Sequence, residues 1–235
     1  MNVDVWSDIV CPFCYIGKRR FEQALDRFEH KQDVTLAFKS FQLDPNAEKN
    51  SGKTMHDILS AKYQMSLEQA RQTTNNVAAQ AKEVGLDYDF DAMVPTNTAD
   101  AHRLSHYAKQ EGKVDALMEK IMHAFFTEGK NIGDHETLES LAEDAGLDKQ
   151  EASRILKGDA YAGEVRSDQE EGAKLGVQGV PFFVFNGKYA VSGAQHADAF
   201  LEVMEKVWKE EQEQKPLTVL NQKNNTNCDD GSCNI

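Results

Sequence analysis

Apolar and polar positions alternate from the start of the chain. Asn2 to Trp6 (NVDVW) has the pattern of a short, half-buried strand. Beyond it Phe21, Leu25 and Phe28 recur at helical spacing, with Lys18, Arg19, Arg20 and Glu22 on other faces, so the strand hands over to an amphipathic helix. Val34 to Lys39 alternates again. Phe41 and Leu43 continue on the other parity, which predicts a second strand with a bulge or bend near Ser40 before Asp44-Pro45-Asn46 ends it. Strand, helix, strand in that order makes a parallel pair.

From residue 50 to about 175 the strand pattern disappears and helices follow one another. Ser66-Leu67-Glu68-Gln69 is a capping box that opens a helix closed by Gly85. Pro95 to Thr98 precedes a second helix ending near Gly112. Lys113 to Glu128 carries an apolar stripe of Val114, Leu117, Ile121, Met122 and Phe125, closed by Gly129. Asp134 and Asp148 cap two short helices ending at Gly146 and Gly158, and Ala160 to Leu175 forms the last before Gly176. Strands resume at Phe182 to Phe185, turn at Asn186-Gly187 and return through Lys188 to Ser192, a strong hairpin signal. His196 to Glu213 is amphipathic, with Phe200, Leu201, Met204 and Val207 on one face. From Pro216 the chain turns polar and Asn-rich and reads as a mobile tail.

Composition narrows the function classes. The 235 residues suffice for one large domain or a domain carrying an insertion. Net charge is −13, from 26 basic and 39 acidic residues, and no basic cluster offers a phosphate footprint. Nucleic acid and anionic membrane are therefore poor partners. The first strand opens at residue 2 with no cationic and apolar leader ahead of it, and no apolar run approaches bilayer length, so the expected location is cytoplasmic.

The chemistry lies in Cys11-Pro12-Phe13-Cys14, between the first strand and the first helix. Cys11 falls at a helix N-terminus, where unpaired N–H groups and the helix dipole favour the thiolate, the reactive form of cysteine. Pro12 suits the first helical turn. Cys14 lies one turn on, close enough to close a disulfide. Competing readings are half of a zinc site or two inert buried cysteines. A zinc site takes about four ligands, and the remaining cysteines are at the far C-terminus with no histidine near either pair, so no metal is expected. A redox-active dithiol is the better reading.

The stretch Trp6-Ser7-Asp8-Ile9-Val10-Cys11-Pro12-Phe13-Cys14-Tyr15-Ile16-Gly17 resembles the opening of the DsbA family of the thioredoxin superfamily, in its FrnE-like branch. Asn97-Thr98-Ala99-Asp100-Ala101-His102-Arg103-Leu104 and Gly176-Val177-Gln178-Gly179-Val180-Pro181-Phe182-Phe183 are similar to two further segments of that branch. Phe13 departs from it, since the branch more often has Trp there. The resemblance covers residues 1 to about 212. It implies an α/β, thioredoxin-like fold with a helical-bundle insertion: residues 1–48 and 176–215 as the thioredoxin-like part, 49–175 as the inserted helical domain and 216–235 as the tail. It also implies that Pro181 is a cis-proline facing the dithiol, where sequence alone allows an ordinary trans proline at a strand start. With that geometry the Val180 backbone would pair with an extended substrate peptide and Pro181 would keep metals off the thiols. Asn97 would line the cleft between bundle and thioredoxin half and bind substrate.

Other candidates carry two readings each. Asp8 either relays protons during exchange or caps the helix start. His102 and His106 have the spacing of a helical metal pair but find no third ligand, so a structural or surface role is the better reading. Cys228 and Cys233 bracket an Asp-Asp-Gly-Ser turn; an auxiliary redox pair, incidental thiols and weak metal binding are the alternatives. Residues 216 to 227 as a flexible coil would reach about 19 Å, against a radius of gyration of about 17 Å for a globule of this length, which favours the auxiliary pair.

Together these readings predict a cytoplasmic thiol–disulfide oxidoreductase or isomerase acting on protein and peptide disulfides. It needs no cofactor beyond the Cys11–Cys14 couple, and glutathione or thioredoxin could serve as reductant. The rival is a glutathione-dependent small-molecule isomerase, of the 2-hydroxychromene-2-carboxylate or polyketide type. Relatives of that kind often carry serine in place of the first cysteine, and here both cysteines are present. A third reading is a peptide-binding protein whose redox site is vestigial.

Overall fold

The computed structural model describes residues 1–213. Chain order is β1 (Asn2–Ser7), α1 (Pro12–Arg27), a 3₁₀ turn (Lys31–Asp33), β2 (Thr35–Ser40), α2 (Met55–Tyr63), α3 (Leu67–Glu83), α4 (Ala99–Gln110), α5 (Val114–Phe126), α6 (His135–Asp144), α7 (Lys149–Lys157), α8 (Ala162–Lys174), β3 (Phe182–Phe185), β4 (Tyr189–Ser192) and α9 (Ala197–Glu213). The sheet runs β2-β1-β3-β4. β1 pairs parallel with β2, and the β1–β3 and β3–β4 pairs are antiparallel. This is the expected thioredoxin-like arrangement with a helical insertion between β2 and β3. No helix among the described residues is long and apolar enough to cross a membrane.

Strand parity assigns the faces. Val3, Val5, Phe183 and Phe185 belong to the main core with Phe21 of α1 and Phe200 of α9. Phe21 stacks on Phe183 at 5.6 Å between ring centroids and meets Phe200 edge-on at 5.8 Å. Trp6 and Val184, on the other parity, form a second cluster with Val177. Over that face lies α8: Trp6 Nε1 donates to the Asp168 carbonyl at 2.8 Å, and a Cβ on Gly172 would stand 2.8 Å from the indole nitrogen. The last helix of the inserted segment is therefore also a layer of the sheet, and the main core runs without a break from Val3 and Phe21 to Leu104, Ile121 and Phe125.

Two expectations need correction. The second strand does not bulge past Ser40; it ends there. The buried carboxylate of Asp168 takes the Ser40 N–H at 2.8 Å, a group that would otherwise seek a strand partner. The sequence reading also passed over α2. Its signal was present: Thr54 and Asp57 form a reciprocal capping box like that of Ser66 and Gln69. The hairpin turn came out as read, with Asn186 at φ 49° and Gly187 at φ 66°, the left-handed pair that a two-residue turn requires.

Candidate active site

Cys11 is the N-cap residue of α1, with extended backbone (φ −86°, ψ 114°) and Pro12 opening the helix. Its amide donates to the Asp8 carbonyl at 3.1 Å, and the Cys14 amide donates back to the Cys11 carbonyl at 3.0 Å. That turn sets both thiols at the positive end of the helix dipole. Both cysteines are free and buried.

Facing them is the loop before β3. The Val180–Pro181 peptide bond is cis, and the Cys11 thiol donates to the Val180 carbonyl at 3.5 Å. Pro181 reaches this position because residue 17 has no side chain: a Cβ on Gly17 would lie 2.9 Å from Pro181 Cγ and 3.5 Å from Ala194 Cβ. Arg20, one turn later on α1, donates to the Ala194 carbonyl at 2.5 Å in the β4–α9 connection, whose Gly193 amide donates to the Pro181 carbonyl at 2.8 Å.

Burial pushes the Cys14 thiol well above its ordinary pKa, and its hydrogen bond to Cys11 and the Cys11 charge add to this. The nearby Ser7 hydroxyl and Asp8 amide act in the opposite direction. Cys14 is thus held as a thiol in the resting dithiol.

Asp8 does not cap the helix with its side chain; α1 has no side-chain cap. One carboxylate oxygen instead accepts the Leu43 amide at 2.8 Å, and the other lies 3.2 Å from His102 Nε2. Of the two readings for Asp8, capping is excluded. Asn97 uses its amide group within the protein. Its nitrogen donates to the Pro45 and Ala47 carbonyls at 3.0 Å each, and its oxygen accepts the Ala99 amide at 2.9 Å and a longer bond from Gln42. It therefore clamps the 42–47 loop onto the start of α4. His106, four residues after His102, sits between Ser40 Oγ at 3.1 Å and Asp168 Oδ2 at 3.2 Å. Each histidine thus has an aspartate partner. Cys228 and Cys233 lie outside the described residues.

Three contributors to the site escaped sequence reasoning. Tyr88 donates to the Pro12 carbonyl at 2.8 Å and stacks on Phe126 of α5; burial raises its phenol pKa, so it remains a donor. Tyr15, directly after Cys14, donates to Glu119, which also holds Arg19 and Lys18. Ser7 has no pattern of its own beyond its place at the strand end. Ser7 and Tyr15 lie inside the stretch Trp6 to Gly17, whereas Tyr88 had no signal in the sequence.

The fold agrees with known proteins. A DSBA-like thioredoxin domain family matches residues 2–205. The chain is 42% identical to a probable DsbA oxidoreductase from Streptomyces coelicolor, whose crystal structure superposes with a TM-score of 0.87 over 94% of each chain. It is 28% identical to the protein YwbO of Bacillus subtilis (strain 168), over 92% of this chain and 99% of that one. At 14% identity and a TM-score of 0.62, over 89% of this chain and 100% of the other, it shares the fold of the cytosolic disulfide reductase DsbM from Pseudomonas aeruginosa. With a dithiol at the start of α1, a cis-proline loop opposite it and helices inserted between β2 and β3, the chain belongs to the DSBA-like thioredoxin domain family.

Proposed function

We propose that this protein exchanges disulfides with protein and peptide substrates through Cys11 and Cys14. The Cys11 thiolate attacks one sulfur of a substrate disulfide, forming a Cys11–substrate bond and releasing the other substrate sulfur as a thiolate that takes up a proton. The Cys14 thiolate then attacks Cys11 Sγ, closing the Cys11–Cys14 disulfide and expelling the second substrate thiolate. Reversed, the same steps oxidise a substrate dithiol, and release before resolution allows isomerisation. The observation that carries this reading is the placement of the Cys11 thiol 3.5 Å from the Val180 carbonyl, where a peptide extended along the Val180-Pro181 loop would bring its sulfur to Cys11. Phe13 and Leu43 support it. They are 38% and 41% exposed, the first between the cysteines and the second tied by its amide to Asp8, and they offer apolar contacts to such a peptide.

In this reading Asn97 acts indirectly, by holding the 42–47 loop that carries Leu43. Asp8 takes and returns protons. The resemblance around Cys11, Asn97 and Val180 supports assigning the chain to the FrnE-like branch. The dithiol is the sole redox group required, a small thiol such as glutathione or a thioredoxin regenerates it, and the reaction belongs in the reducing cytoplasm. We assign Cys228 and Cys233 an auxiliary redox role on their spacing alone; removing residues 216–235 should then change the rate at which the oxidised dithiol is re-reduced.

The test is turnover of a disulfide-bonded peptide with glutathione or thioredoxin as reductant, beside glutathione-dependent isomerisation of an aromatic 2-hydroxy-enone-type substrate. Peptide turnover lost in Cys11→Ser supports the reading. Isomerisation without any disulfide exchange would replace it with the small-molecule isomerase reading.

A further inference from the structure

Ser7 ends β1 on the same parity as Val3 and Val5, whose side chains lie in the core beneath α1, whereas Trp6 points to α8. Its hydroxyl is therefore directed at the underside of the turn that carries Cys14. Ser7 is 3% exposed, and its Oγ makes no completed hydrogen bond with any described residue. A buried hydroxyl without a partner costs stability, on the order of 1–3 kcal/mol, so its retention calls for a reason. The backbone around it is satisfied, since the Ser7 carbonyl accepts the Phe41 amide at 3.2 Å.

The reason lies next to it. Cys14 is 2% exposed, and its sulfur has three polar neighbours: the Cys11 sulfur, the Asp8 amide and the Ser7 hydroxyl. In the resting dithiol the Ser7 hydroxyl is an idle donor. Once the Cys14 sulfur carries negative charge, it becomes a strong acceptor inside a dry pocket where water cannot reach it.

We propose that Ser7 is the hydrogen-bond donor that stabilises Cys14 Sγ as a thiolate, making Cys14 competent both as resolving nucleophile and as leaving group. The inference rests on the disulfide-exchange reading above and deepens it. On resolution, the Cys14 electron pair forms the Cys14–Cys11 bond, and the Cys11–substrate bond breaks with its electrons on the substrate sulfur. In the oxidative direction a substrate thiolate attacks Cys11 Sγ, and the Cys14–Cys11 bond breaks with its electrons on Cys14. In both directions the negative charge sits on Cys14 Sγ at one end of the step. A donor fixed by the β1 backbone supplies its hydrogen bond without reorganisation.

The experiment is a single turnover of fully reduced protein with a disulfide-bonded peptide, quenched in acid and alkylated, so that mixed disulfide and closed Cys11–Cys14 disulfide are counted separately. Removing one donor to a charged acceptor should slow resolution about tenfold, so Ser7→Ala should accumulate mixed disulfide while forming it at the wild-type rate. The pH at which resolution is half-maximal should move upward. Ser7→Thr, which keeps the hydroxyl, should recover most of the rate, and Ser7→Val, of the same shape without the donor, should not. These variants separate the donor from packing. Equal resolution in wild type, Ser7→Ala and Ser7→Val, with one common pH profile, would overturn the inference while leaving the functional reading in place. Wild-type protein that forms no mixed disulfide would overturn both.

Discussion

The Asp8 carboxylate lies 3.2 Å from His102 Nε2, and both side chains are 2% exposed. The pair joins the turn carrying the dithiol to α4 of the inserted helices, and the other carboxylate oxygen holds Leu43. Removing one member of a buried hydrogen-bonded pair leaves the other without its partner, at a cost of about 1–3 kcal/mol. His102→Ala should therefore lower the denaturant midpoint substantially. A double-mutant cycle with Asp8→Asn should give a coupling of about 1 kcal/mol or more. Additive effects would show that the two groups act independently.

Gly17→Ala tests the fit of the Pro181 loop against α1. Alanine gains about 1 kcal/mol of helix propensity over glycine. Its Cβ would stand 2.9 Å from a rigid proline ring, and overpacking of that kind costs about 1–3 kcal/mol. The two nearly offset, so the melting temperature should change little. The Val180 carbonyl, however, must move relative to Cys11, and peptide-disulfide turnover should fall several-fold. Unchanged turnover would mean that this contact is not tightly set.

Acid stability should rest on two carboxylates. Burial alone would raise the pKa of Asp100, but hydrogen bonds from Lys49, Arg103 and His135 bring it down from 3.8 to about 2. Glu119, where burial also opposes, is brought from 4.5 to about 2 by Arg19, Tyr15 and Lys18. Because each folded value lies below the unfolded one, the stabilisation is fully present above about pH 4–5 and is lost as pH falls toward 2. It is on the order of 2 kcal/mol for Asp100, whose side chain is 12% exposed, and less for the more exposed Glu119. Denaturation followed between pH 2 and 6 should show a shallower acid limb in Asp100→Asn than in wild type, with lower stability at pH 7.

Much of this was legible in the sequence. Alternation in Asn2 to Trp6 and the Asn186-Gly187 turn gave the strands, because their local preferences agree with their final burial. The dithiol was legible because strand, Cys-Pro-x-Cys and helix are contiguous. What failed was non-local. The Ser40 amide, on the outer edge of the sheet, is taken by a carboxylate 128 positions away. His102 reads as a structural or surface histidine, and its partner comes into view only when the fold brings Asp8 beneath it, across 94 positions. Asn97 reads as a ligand-facing amide, and only the path of the 42–47 loop shows where its hydrogen bonds go. Ser7 lies within the stretch around the dithiol, but only the fold shows that its hydroxyl is buried without a partner.

The most direct test of the central claim is capture of the covalent intermediate. Cys14→Ser keeps the attacking sulfur and lacks the resolving one, whereas Cys11→Ser keeps a sulfur that burial holds as a thiol. Each variant is mixed with a disulfide-bonded peptide, quenched in acid and weighed intact by mass spectrometry. The expected result is a stable adduct of one peptide on Cys11 in Cys14→Ser and none on Cys14 in Cys11→Ser. Equal adducts in both variants, or none in either, would contradict the assignment of Cys11 as the attacking and Cys14 as the resolving residue of a disulfide-exchange site.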